Sequence, residues 1–287
     1  MSKQRAIPLR IKREVRQRCG FGCVICGKIL YEYDHLVPWA KIKKHEADKL
    51  TLLCPDHHAE KTRGRLPDEK IHAANANPYN HRKGVSKRRK LYYDGKECEI
   101  IMGGNRFADE DQEPFTKITP LIIDNMPLIS FSINNGQLFL DLKIFDETSA
   151  LILEVTENEL VYSVSSWDIQ YEGSNLKIHA ARRKTLVEIV FAPPNKVTVV
   201  RAPFMFNGVE VLVRPENILV VNRPTIYKGC EFTGTHGLAI GKVNDLQGGK
   251  IRIGCYFGDV PRHIKDRSET LAWERSMVQK TRKLDNT

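Results

Sequence analysis

Four metal-ligating side chains in two short pairs constrain this chain more than any other feature. Cys23-Val24-Ile25-Cys26 is a C-x2-C pair, and Cys54-Pro55-Asp56-His57 is a C-x2-H pair, with 27 residues between the two. Two knuckles of this kind supply the thiolates and imidazole that a tetrahedral zinc ion takes. The segment around them carries too little apolar surface to fold unaided, and a structural metal is a common remedy at that size. Cys19 could replace Cys23, but the tighter Cys23/Cys26 spacing is the better choice; two unrelated pairs, one a redox dithiol, form the competing reading. Cys98, Cys230 and Cys255 lie among apolar residues and read as free thiols. The N-terminus, polar and basic from Met1 to Arg18, does not read as a secretory signal, so seven cysteines do not suggest a disulfide framework.

Charge follows the cysteines. The chain of 287 residues has a formal net charge of +10. Residues 1–95 carry 22 Lys+Arg against 10 Asp+Glu, a net of +12, and residues 96–287 carry a net of −2. Attraction to a polyanion would therefore act through the first third. No apolar run reaches the roughly 18 residues a membrane span needs, so no membrane partner and a cytoplasmic location are expected.

Local pattern outlines the elements. Ile7 to Arg18 reads as a helix, with Pro8 in its first turn and Gly20 and Gly22 as stops. Ile29 to Asp34 reads as a strand, 37–48 as a loop, Leu50 to Leu53 as a strand, and Pro55 to about Arg63 as a helix. Residues 67–95 read as a basic connector with a short helix at 68–76. From 96 onward β signals repeat: Leu138, Leu140, Leu142 and Ile144 alternate after an Asn-Asn-Gly turn, and further strands follow at 151–155, 160–164, 186–190, 197–200, 209–213 and 218–221. This spacing suggests a sandwich or β-roll. Glu269 to Leu284 closes the chain as a helix, with Trp273, Met277 and Leu284 as a docking stripe.

A second group of polar residues sits around the knuckles. Asp34-His35 ends the predicted strand, and His58 follows His57 on the predicted helix. Successive helical residues are rotated by about 100°, so His57 and His58 should not share one metal. Asp34, His35 and His58 could converge between strand and helix, where a carboxylate and an imidazole suit a divalent ion and a second imidazole suits a general base.

The stretch Cys19 to Gly64, with its C-x2-C knuckle, Asp34-His35, Leu-Leu-Cys54-x2-His57-His58 and Lys61, resembles the HNH (ββα-metal) endonucleases of bacteria and their phages. The resemblance covers about residues 7–66. It implies an HNH domain at 1–66; together with the β pattern beyond, the chain reads as α+β, with a connector (67–95), a larger mostly-β recognition domain (96–262) and a C-terminal helix (263–287). It further implies that Cys23, Cys26, Cys54 and His57 hold structural Zn2+. His35 would be the general base, and Asp34 and His58 would hold catalytic Mg2+ or Mn2+. The family's middle Asn falls at Lys49 here; His45, Asn77 and Asn80 are the candidates to replace it.

The resemblance thus points to metal-dependent hydrolysis of DNA phosphodiesters, in the layout of restriction or phage-defence effectors. Lys61 and Arg63 could pair with flanking phosphates, and Lys87, Arg88, Arg89 and Lys90 could contact the backbone. One metal and one base make one cleavage centre, so cutting both strands needs a homodimer or two events. The β domain would read a DNA feature, a protein or a ligand. The alternative is a zinc-stabilised nucleic-acid-binding protein without cleavage activity.

Overall fold

The computed structural model describes residues 6–108, 116–244, 253–262 and 267–284, apart from the side chains at 41, 278 and 280–284. The fold mixes α and β and is mostly sheet. Among the described residues no helix is long and apolar enough to cross a membrane. The chain forms two compact units: Met1–Lys90 with Glu159–Thr185, and Leu91–Asn158 with Leu186–Thr287.

The first unit opens with α1 (Leu9–Cys19), whose N-cap is Pro8 and which stops at Gly20 in the left-handed conformation. Strands β1 (Glu32–His35) and β2 (Leu50–Leu53) pair antiparallel, with Asp34 opposite Thr51 and His35 opposite Leu50. Between them, where the sequence suggested only a loop, lie a one-turn helix α2 (Trp39–Ile42) and a 3-10 turn at Ala47–Lys49. Helix α3 (Pro55–Thr62) starts with proline at N1, where the missing N–H is unused anyway. α4 (Asp68–Ala76) and α5 (Tyr79–Lys83) follow, so the stretch read as a connector holds two helices. Val15, Cys19, Val24, Leu50, Leu52, Leu53 and Ile71 form the small core.

Glu159–Thr185 belongs to this unit, and three of its contacts there are central. Arg89–Lys90 pairs with Glu159–Leu160 as a short antiparallel ladder. The Tyr162 hydroxyl donates to the Phe21 carbonyl at 2.8 Å. Arg16, buried, forms a fork with the fully buried Asp168 at 2.9 and 2.6 Å.

The second unit is built from two sheets. In one, Lys117–Ile123, Met126–Asn134, Gln137–Phe145 and Leu151–Thr156 form an antiparallel meander. His236–Ile240 and Ile253–Phe257 extend it by parallel pairing. Leu138, Leu140, Leu142 and Ile144 are all buried, as their alternation requires. Positive φ at both Asn135 and Gly136 gives the turn geometry that matches strand twist. In the other sheet Lys184–Ala192, Lys196–Phe206, Val209–Arg214, Asn217–Val220 and Thr225–Tyr227 run antiparallel. Glu99–Met102 adds to Lys196–Phe206 in parallel. Gln137–Phe145 lies against Lys196–Phe206, and the core sits there.

The C-terminal helix, Arg267–Leu284, packs Leu271 on Leu212, Leu219 and Val221 and buries Glu274. Trp273 and Met277 are partly exposed, at 39% and 40%. The inward face is chosen by ion pairs, Glu274 with Arg214 and Arg267 with Glu210, which apolar periodicity does not register.

Candidate metal centre and active site

Cys23, Cys26, Cys54 and His57 come together with their ligand atoms all within 4.8 Å of one another. The loop after α1 supplies the first two, and the start of α3 supplies the others. His57 Nδ1 lies 3.3 Å from both Cys23 Sγ and Cys54 Sγ, and the Cys26 and Cys54 sulfurs are 3.8 Å apart. A tetrahedral zinc with bonds of about 2.3 Å to sulfur and 2.0 Å to nitrogen has edges of about 3.8 and 3.5 Å, so the donor set fits such an ion. The Cys26 thiol hydrogen-bonds Cys23 and holds its pKa down to about 4, while the same bond pushes Cys26 up. The cluster thus favours a thiolate, the form that binds metal.

The knuckle turn depends on Gly27, at φ +76, which hydrogen-bonds back to the Cys23 carbonyl. A Cβ there would lie 2.3 Å from Asn80 Oδ1 and 2.5 Å from Tyr79 Cδ1. Cys19 is not a ligand: it is buried in the core with Asn75 as its polar neighbour.

His58 faces elsewhere, as helical rotation requires. Its Nε2 lies 3.5 Å from Asp34 Oδ1 and its Nδ1 lies 2.5 Å from Glu32 Oε2. Asp34 and His58 thus face each other across the strand–helix junction. Glu32 holds the other imidazole nitrogen and so fixes the ring's orientation. The reading of the sequence missed Glu32. Strand periodicity could have found it, because residues i and i+2 share a face. Lys61 Nζ lies 2.5 Å from Asp34 Oδ2 and 2.6 Å from the His35 carbonyl oxygen. Lys61, expected to pair with phosphate, is thus engaged with Asp34 and the strand backbone.

The His35 ring packs at 5.5 Å from both Trp39 and His45, which are 4.5 Å from each other. His35 Nε2 is buried and has no hydrogen-bond partner among the described residues. Desolvation lowers the His35 pKa from 6.5, His45 adds to the effect, and Asp34 opposes it. Of the three candidates to replace the missing Asn, His45 stands by His35. Asn77 caps α4, and buried Asn80 donates to the carbonyl of Gly20, the C-cap of α1, at 2.9 Å. Lys49 pairs with Asp48 at 3.1 Å.

Arg63, Lys87 and Lys90 are exposed. Arg88 reaches Glu159 at 3.1 Å on the surface, and Arg89 is half-buried, its guanidinium 5.7 Å from the Tyr171 ring. Compared with protein-family models, curated proteins and solved structures, the chain matches none at a significant level.

Proposed function

We propose that the chain is a metal-dependent endonuclease of the HNH type that hydrolyses DNA phosphodiester bonds. The observation that carries this reading is the Asp34–His58 pair, 3.5 Å apart, on a strand and a helix adjoining the Cys3His cluster. A divalent ion bound there would polarise the phosphate and offset charge on the leaving 3′ oxygen. Asp34 and His58 hold that position, and Glu32 orients His58. His35, kept neutral by desolvation and with Nε2 unpartnered, takes the proton of the attacking water. The +12 charge of residues 1–95 draws in the phosphate backbone. Cleavage of both strands would need a second copy of the chain or a second event, and a restriction or phage-defence role would suit this activity.

A supercoiled-plasmid assay tests it. Nicked or linear product should form with Mg2+ or Mn2+, disappear with EDTA, and be lost in His35→Ala while DNA binding persists. A second reading, nucleic-acid binding without cleavage, is favoured by one observation: the Lys61 ammonium already neutralises Asp34. Absence of product with every divalent ion, together with DNA binding of steep salt dependence, would select that reading.

A further inference from the structure

The C-terminal helix and nearby strand ends of the second unit line an open pocket of about 380 Å3, with Arg201, Arg214, Asn217, Leu271, Glu274 and Arg275 around it. We propose that this pocket binds a small organic phosphate of about nucleotide size. Three separate elements bring the arginines together: Arg201 from strand Lys196–Phe206, Arg214 from the end of Val209–Arg214, and Arg275 from the helix. General basicity does not explain the convergence, because residues 96–287 carry a net −2.

Arg214 is held by Glu274 at 2.9 Å, and that carboxylate is 5% exposed. Arg201 and Arg275 make no ion pair among the described residues. Glu216 is the other carboxylate lining the pocket, so three arginines stand against two carboxylates there. The site is thus net positive and rich in N–H donors. Guanidiniums approaching from three elements suit a tetrahedral phosphate with three terminal oxygens better than a planar carboxylate with two. Leu271 and Pro215 supply an apolar wall for the organic part. Asn217 is 3% exposed and its Oδ1 has no partner among the described residues, so a ligand hydroxyl or N–H would satisfy it. The volume lies at the small end of the roughly 300–1,000 Å3 of ligand sites, which fits a mononucleotide and not an oligomer.

This inference does not rest on the nuclease reading. The test is calorimetric titration of the full-length, zinc-loaded protein with the four nucleoside 5′-monophosphates, adenosine, inorganic phosphate and an unphosphorylated DNA duplex. At least one monophosphate should bind in about the micromolar range, with inorganic phosphate about tenfold weaker or more and adenosine not binding. Arg201→Gln and Arg275→Gln should each weaken that binding about tenfold, with circular dichroism and melting temperature retained. His35→Ala should bind like wild type, which separates this outcome from failure of the nuclease proposal. The proposal is overturned if no monophosphate binds by about 1 mM. It is equally overturned if both glutamine variants bind like wild type, or if the duplex displaces the monophosphate.

Discussion

Lys61 Nζ sits 2.5 Å from Asp34 Oδ2, so an ammonium stands where the proposed site would receive a divalent cation. The pair is largely shielded, at 18% and 11% side-chain exposure. On the proposed function, ion and lysine would compete for one carboxylate, with Lys61 turning outward to admit the ion. Lys61→Met should tighten Mn2+ binding by roughly three- to tenfold, about 1 kcal/mol, as read by Mn2+ paramagnetic resonance on zinc-loaded protein. Unchanged or weaker affinity would show that Lys61 supports the site.

The Cys3His cluster joins the first knuckle loop to α3 where the core beneath is small. Metal analysis should return one zinc per chain. Cys26→Ser should lose it, with hydrogen exchange rising by about tenfold or more across residues 23–57. Chelation of the wild-type protein should reproduce the pattern. Full protection without zinc would remove the metal as the element's organiser.

His35 is neutral more readily than a free histidine, because desolvation and then His45 disfavour its charged form. A base with a lowered pKa is active above that pKa and protonated below it. The acid limb of kcat/KM for plasmid cleavage should therefore fall below pH 6.5, and His45→Ala should move it up toward that value. A bound divalent ion at Asp34 pushes in the same direction as desolvation. A limb above 6.5 in wild type would contradict the assigned base.

Arg16 and Asp168 lie 152 residues apart and form a buried fork, joined by Tyr33 on Arg16 Nη1 and Gln170 on Asp168 Oδ2. Removing one partner strands a buried charge. Asp168→Ala should destabilise the protein by about 3–5 kcal/mol in urea unfolding. Arg16→Met combined with Asp168→Leu should cost less than Asp168→Ala alone. Additive losses would mean that the two residues act independently.

What the sequence determined by itself is what short-range geometry encodes. The i, i+3 spacing of Cys23/Cys26 and Cys54/His57 specified the four donors that the fold assembles, and helical rotation sent His58 away from them toward Asp34. Alternation at 138–144 marked a strand that buries each of its leucines. The strands at Lys117–Ile123 and Met126–Asn134 were not picked out: Pro120 interrupts the first, while the second carries a readable alternation, Ile129, Phe131 and Ile133 about Ser130 and Ser132, that was passed over.

Long-range pairing decided the rest. Glu32 on His58, Lys61 on Asp34, and Trp39 and His45 around His35 became visible only once β1, α2 and α3 were packed. Glu159–Thr185 reads locally as more β structure, and long-range contacts such as the Arg89–Lys90 ladder, the buried Arg16–Asp168 fork and the Tyr162–Phe21 bond assign it to the first unit. The inward face of the C-terminal helix was likewise set by Arg214 on Glu274, over the apolar stripe of Trp273 and Met277. A local pattern reports which side chains can share a face; it carries no information on which distant charge will meet them there. That meeting is made by the tertiary fold, because a buried charge is tolerated only where the chain brings its partner to it.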